Sequence, residues 1–134
     1  MVAVATLMIG CSKDEESTPD VNVKQFTGTY TGLVSWQDGD GTASEQSVFT
    51  LSENPTDRNG LVLYNIGNLG QSISVKLIVS ADLSVNIPHQ IVVVDNTQTG
   101  IVGSGKLSEG RIELTYLETT WKSHFNVTVA GIKN

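Results

Sequence analysis

The segment Arg111-Ile112-Glu113-Leu114-Thr115-Tyr116 alternates polar and apolar residues at every step. Such a chain buries one face only as a β-strand, because successive strand side chains point to opposite sides. The same period recurs. In residues 121–129, Trp121, Phe125, Val127 and Val129 share a face opposite Lys122, His124, Asn126 and Thr128. Ile73, Val75, Leu77 and Val79 line another face, and Tyr30, Val34 and Trp36 a third, with Gly32 between them. One buried and one wet face is the pattern of an antiparallel sheet. A slip of one residue in the last strand would bury Lys122, His124 and Asn126, at about 1–3 kcal/mol for each unpaired group. Phe125 is expected inward, and Phe125→Ala is expected to cost about 3–5 kcal/mol.

Turn chemistry separates these runs. Asp38-Gly39-Asp40-Gly41 is a hairpin loop, since Gly accepts positive φ and Asp caps its own backbone. Further turns are expected at residues 54–60, 67–70, 80–82, 95–97 and 108–110. Pro88 should break residues 83–94 into two short strands or bend them at an edge. Gly103 and Gly105 fit a strand that bends sharply or lies against another backbone. About eight strands at intervals of roughly 8–12 residues predict an all-β fold, and no useful helix is read. An antiparallel up-and-down barrel is preferred over the alternative, a β-sandwich, because closure removes exposed edges. Closure also makes the first and last strands neighbours.

The chain has 134 residues, which fits one folded domain. Its 39% hydrophobic and 16% charged content is ordinary for a globular protein. The net charge of −6, with eight Lys and Arg spread along the chain, argues against nucleic acid as a partner.

Cys11 is the only cysteine, so it has no intramolecular disulfide partner. An apolar run, residues 2–9, leads into it and is too short to span a bilayer. Met8-Ile9-Gly10-Cys11 resembles the lipobox of bacterial lipoproteins. That resemblance implies a signal peptide over residues 1–10, acylation of Cys11 and stable anchoring in a membrane by several acyl chains. No Lys or Arg precedes the apolar run, a departure that places the true start upstream of Met1 if the pattern holds. Ser12-Lys13-Asp14-Glu15-Glu16 resembles the export signal of certain Gram-negative surface lipoproteins. It implies an outer-membrane address on the cell surface, with the periplasmic face as the alternative. Residues 11–25 then form the lipidated cysteine and a flexible linker, and residues 26–134 the barrel.

Phe26-Thr27-Gly28-Thr29-Tyr30-Thr31-Gly32, Asn86-Ile87-Pro88-His89-Gln90, Gly103-Ser104-Gly105-Lys106-Leu107 and Ile112-Glu113-Leu114-Thr115-Tyr116 occur in this order. The order resembles the small calycin-like, lipocalin-like β-barrel lipoproteins of Gram-negative bacteria. Gly28 and Tyr30 stand where lipocalins carry Gly-x-Trp, with Tyr replacing Trp. The resemblance implies that Tyr30 packs at the closed end of the barrel. It implies no ligand residues.

Motifs for catalysis are missing. His89, read as a loop residue, and His124, on a polar face, form no HExxH, and no GxSxG is present. Gly103-Ser104-Gly105 lacks the third glycine and the helix of a dinucleotide loop. Asp38-Gly39-Asp40-Gly41-Thr42 starts like a calcium loop, but the sixth position is not Gly and Phe49 replaces the bidentate Glu. Asn126-Val127-Thr128 matches a glycosylation sequon, yet falls inside a strand. No catalytic or metal-binding residue and no cofactor is assigned. The expected function is noncatalytic: a tethered binding module for a small apolar or saccharide ligand. Trp36 and Trp121 are its candidate contacts, because an indole offers a flat apolar face and one donor. The alternative is an accessory interaction protein of the outer membrane with a filled barrel. An apolar cavity of about 300 Å³ or more would favour the binding module.

Overall fold

The structure is a computed structural model that describes residues 21–38, 41–120 and 124–134. Cys11, Trp121 and Lys122 lie outside the described residues. Eight strands follow one another: β1 (Gly28–Asp38), β2 (Gly41–Glu53), β3 (Gly60–Tyr64), β4 (Ser74–Val79), β5 (Ser84–Val94), β6 (Thr97–Ser108), β7 (Arg111–Thr119) and β8 (His124–Lys133). Each pairs antiparallel with the next, and β1 returns to pair with β8, so the sheet closes into an up-and-down barrel. The architecture is compatible with the calycin-like fold. A sandwich is excluded, and no α-helix occurs among the described residues.

The two-residue period sets the register. Tyr30, Val34, Val75, Leu77, Val79, Ile112, Leu114, Tyr116, Val127 and Val129 are buried, whereas His124, Asn126 and Thr128 are exposed. Paired strand residues share a face, and the pairing Tyr30↔Phe49, Val34↔Glu45 and Trp36↔Ala43 carries the inward face from β1 to β2.

At one end the barrel is filled and covered. A 3-10 turn, Val23–Phe26, places Val23 and Phe26 in the core. Tyr30 stacks on Phe49 with ring centroids 5.5 Å apart, and its hydroxyl donates to the Phe26 carbonyl at 2.8 Å. Glycines make room for this packing. A Cβ on Gly131 would lie 2.7 Å from Phe49 Cζ. One on Gly103 would collide with Tyr116 of β7, and one on Gly105 would reach Leu114 Cδ2 at 2.7 Å. Gly103 and Gly105 therefore let β6 lie tightly against β7.

The wall is less uniform toward the other end. Pro88 does not split β5. The pairing steps from Ile87↔Gly103 to Gln90↔Ile101, so three steps on β5 match two on β6. This is a β-bulge, which accommodates a residue without an N–H inside a strand. His89 sits in this bulge, exposed, and is a strand residue rather than a loop residue. Beyond the bulge Ile91 and Val93 point outward and are 58% and 56% exposed. Only Ile78↔Asn86 and Val79↔Val85 join β4 to β5 in register. Above them the Gln90 side-chain amide replaces a strand partner: it accepts from the Lys76 amide at 2.9 Å and donates to the Lys76 carbonyl at 3.0 Å.

Strand β3 ends at Tyr64, level with Thr50 of β2, and β4 begins at Ser74, level with Tyr64. Residues 65–73 form a strap across the space above them. Its course needs left-handed backbone at Asn65, Gly67 and Asn68, with φ of 69°, 57° and 63°, residue types that tolerate it. Asn65 Nδ2 donates to the Val48 carbonyl at 2.8 Å, and Asn68 Nδ2 to the Gln46 carbonyl at 3.0 Å. The strap thereby satisfies carbonyls on the part of β2 that β3 does not reach, and it buries Ile66.

Candidate functional site: the mouth of the barrel

The interior does not fill completely under this strap. A cavity of about 260 Å³ is bounded by Trp36, Glu45, Gly67, Leu69, Tyr116, Glu118, Phe125 and Val127. Larger depressions exist, such as one of about 570 Å³ along His89, Ile91, Gly100 and Thr119, but they lie against outward-facing residues of the wall. Among the described residues, the cavity at the mouth reaches the barrel interior.

Each lining residue has a structural reason to be there. Trp36 comes late in β1 on the inward face, paired with Ala43 and Val127. It is half-buried and packs against the core. Phe125 does the same from β8, opposite Glu118. Glu118 is the next inward position after Ile112, Leu114 and Tyr116 on β7, so the strand period carries a carboxylate into the mouth. Glu45 arrives similarly on β2, two steps beyond Ser47. Its Oε1 accepts from Asn68 Nδ2 at 2.8 Å, which ties it to the strap.

The polar groups here are under-satisfied. Tyr116 is 1% exposed, and its hydroxyl has no hydrogen-bond partner among the described residues. Gly67 abuts this hydroxyl so closely that a Cβ there would collide with it. Burial pushes the Tyr116 phenol above its ordinary pKa, and Glu118 raises it further by repelling the phenolate. Burial also raises the Glu118 carboxyl. Ser47 Oγ, further along the interior face of β2, is the other buried hydroxyl without a partner. Buried polar atoms in native proteins are nearly always paired, so two orphans toward one end are notable. Among the described lining residues there is no Lys, Arg or His. The mouth thus offers two carboxylates, one hydroxyl and a wall of two aromatic rings, an arrangement that accepts hydrogen bonds and repels anions.

Of the residues singled out in the sequence, Trp36 lies in this cavity. Cys11 and Trp121 lie outside the described residues. Gly28 and Tyr30 belong to the opposite end. Glu118, Tyr116 and Glu45 were not read as site residues. Continuing the inward period of β7 by one step would have reached Glu118. Nothing in the sequence pointed to Gly67 or Leu69, which the strap brings in. Among the described residues, no three His, Cys, Asp or Glu side chains are grouped to hold a metal ion.

No protein-family model matches this chain, and no curated protein is similar to it at a significant level.

Proposed function

We propose that this chain is a noncatalytic lipoprotein of the bacterial outer membrane, anchored through Cys11 and displayed at the cell surface. In this reading the barrel mouth binds one small molecule. The observation that supports binding is the 260 Å³ cavity lined by Tyr116, whose buried hydroxyl has no partner among the described residues. A protein whose only task was to be a filled scaffold would gain stability by closing that space. The volume falls short of the roughly 300 Å³ expected of a binding module, so the unpartnered hydroxyl rather than size supports binding, and the ligand of this reading is small. A fragment screen followed on the amide and indole resonances of the labelled full chain tests this. Binders should shift Trp36 and Phe125 and leave Tyr30 and Phe49 unmoved.

The anchor is supported by Met8-Ile9-Gly10-Cys11 and the charged run that follows it. Cells fed a radioactive fatty acid should label the full-length protein. Cys11→Ser should abolish the label and move the protein to a soluble fraction, and label retained on that variant would sink the anchor.

A second reading, an accessory interaction protein, is favoured by one observation. Above the bulge, β5 has no strand partner on its β4 side among the described residues, and Ile91 and Val93 stand exposed there. Under that reading the fragment screen stays silent at the mouth.

A further inference from the structure

We infer that the mouth receives a small organic cation, with its ammonium group beside Glu118 and the Tyr116 hydroxyl and its apolar body against Trp36 and Phe125. This rests on the mouth being the binding site and names the chemistry of what enters it.

Three observations converge. The first is charge: the lining contains Glu45 and Glu118 and, among the described residues, no cationic side chain. An anion would meet the partly desolvated Glu118 carboxylate and, at the rim, the exposed Glu45. The second is the unmet hydrogen bonding. Tyr116 is 1% exposed and its hydroxyl has no partner, although Glu118, two residues on along the same inward face, lines the same cavity. A purely apolar ligand would leave that hydroxyl orphaned and would desolvate Glu118 further. An ammonium has three donors and no acceptor, so it can serve the hydroxyl oxygen and the carboxylate together. The third is the pair of rings. Trp36 and Phe125 both pack half-buried at the mouth, and an aromatic face attracts a cation as well as an apolar body. Glu45, held by Asn68 at 2.8 Å, supplies a second negative charge.

Size narrows the class. A cavity of about 260 Å³ has room for roughly nine waters, at about 30 Å³ of liquid volume for each, and so for a ligand of about nine or ten non-hydrogen atoms. Phenethylamine has this size, an ammonium at one end and an apolar ring at the other. It is a probe and not a claim about the natural ligand.

The test compares three probes of similar shape and size on the full chain at low salt: phenethylamine, 2-phenylethanol and phenylacetate. Binding is followed by the chemical shifts of mouth residues. Phenethylamine should bind at least about tenfold more tightly than the alcohol, the effect of one charge-assisted hydrogen bond, and the carboxylate should not bind. Glu118→Gln keeps the shape and should erase the preference for the amine. Tyr116→Phe should weaken the amine about threefold or more without unfolding the chain, since no protein partner is lost. If the alcohol shifts the mouth as strongly as the amine, and Glu118→Gln changes neither, the cation inference falls while the mouth remains a binding site. If none of the three probes moves a mouth resonance, the inference and the binding reading fall together.

Discussion

Two buried tyrosines mark the two ends of this barrel. Tyr30 lies near the start of β1, stacked on Phe49, and its hydroxyl donates to the Phe26 carbonyl at 2.8 Å. Tyr116 lies on β7 toward the mouth, 1% exposed, and its hydroxyl donates to nothing among the described residues. Similar burial thus comes with opposite treatment of the polar atom. At the covered end the 3-10 turn supplies an acceptor and Phe49 supplies a stacked face. At the mouth Gly67 of the strap comes close but offers no partner, and a cavity remains. The covered end is arranged as a folding core, whereas the mouth leaves a cavity and an unpartnered hydroxyl, the difference on which the proposed binding function rests.

The largest effect separating the ends should come from truncating their aromatic rings. Phe49 is fully buried and in contact with Tyr30, so Phe49→Ala should destabilise the chain by about 3–5 kcal/mol. The alternation of β8 led to the same expectation for Phe125, but that ring is only half-buried and borders a cavity. Its truncation removes less contact, and about 1–2 kcal/mol is expected, since part of the ring is already exposed and it lines space rather than close-packed neighbours. Urea unfolding of both variants checks the difference. Equal losses would mean that the mouth is packed as tightly as the covered end.

A smaller and sharper contrast comes from the hydroxyls. Tyr30→Phe removes a donor and leaves the Phe26 carbonyl buried without it, for a cost of about 1–2 kcal/mol. Tyr116→Phe removes a hydroxyl that has no partner and relieves its desolvation, so stability should stay level or rise. Denaturation midpoints of the two variants measured side by side decide the matter. A loss at Tyr116 as large as that at Tyr30 would reveal a partner for its hydroxyl.

The same contrast explains how far the sequence could be read. Where the inward face is apolar, as at Tyr30, Val34, Val75, Leu77, Ile112 and Leu114, the period alone identified both strand and face. Closure through β1 and β8 followed from preferring a barrel, which removes exposed edges, over the alternative sandwich. The reading failed where polarity and direction part company. Glu118 and Glu45 point inward on faces that begin apolar, and a search for apolar inward residues passes over them. Ile91 and Val93 point outward within an apolar run, because the bulge at Pro88 resets the register. The strap is opaque for another reason. Its path depends on left-handed backbone at Asn65, Gly67 and Asn68 and on side-chain bonds to β2, none of which leaves a periodic trace. Most of the fold was therefore legible, while of the residues around the cavity the sequence offered Trp36 as a contact and Tyr116, Phe125 and Val127 only as inward-facing strand positions.

The smallest expected effect is electrostatic and tests whether the mouth is built at the expense of stability. Burial raises the Glu118 carboxyl above the usual carboxylate range, so between its unfolded and folded pKa the native state holds the proton more tightly. Stability from this group is complete below the unfolded pKa and is lost as pH rises through the folded one. At neutral pH the ionised carboxylate therefore weighs against the fold, mildly, because it is only half-buried and water still screens it. Glu118→Gln removes the titration and should leave the protein slightly more stable at neutral pH, with the advantage shrinking toward the acid side of the carboxylate range. Wild type and variant unfolded in urea at several pH values would show two curves that converge on acidification. Curves that converge with wild type the more stable at neutral pH would mean instead that Glu118 has a cationic partner in the fold. That would leave no unmet charge at the mouth for a ligand to answer.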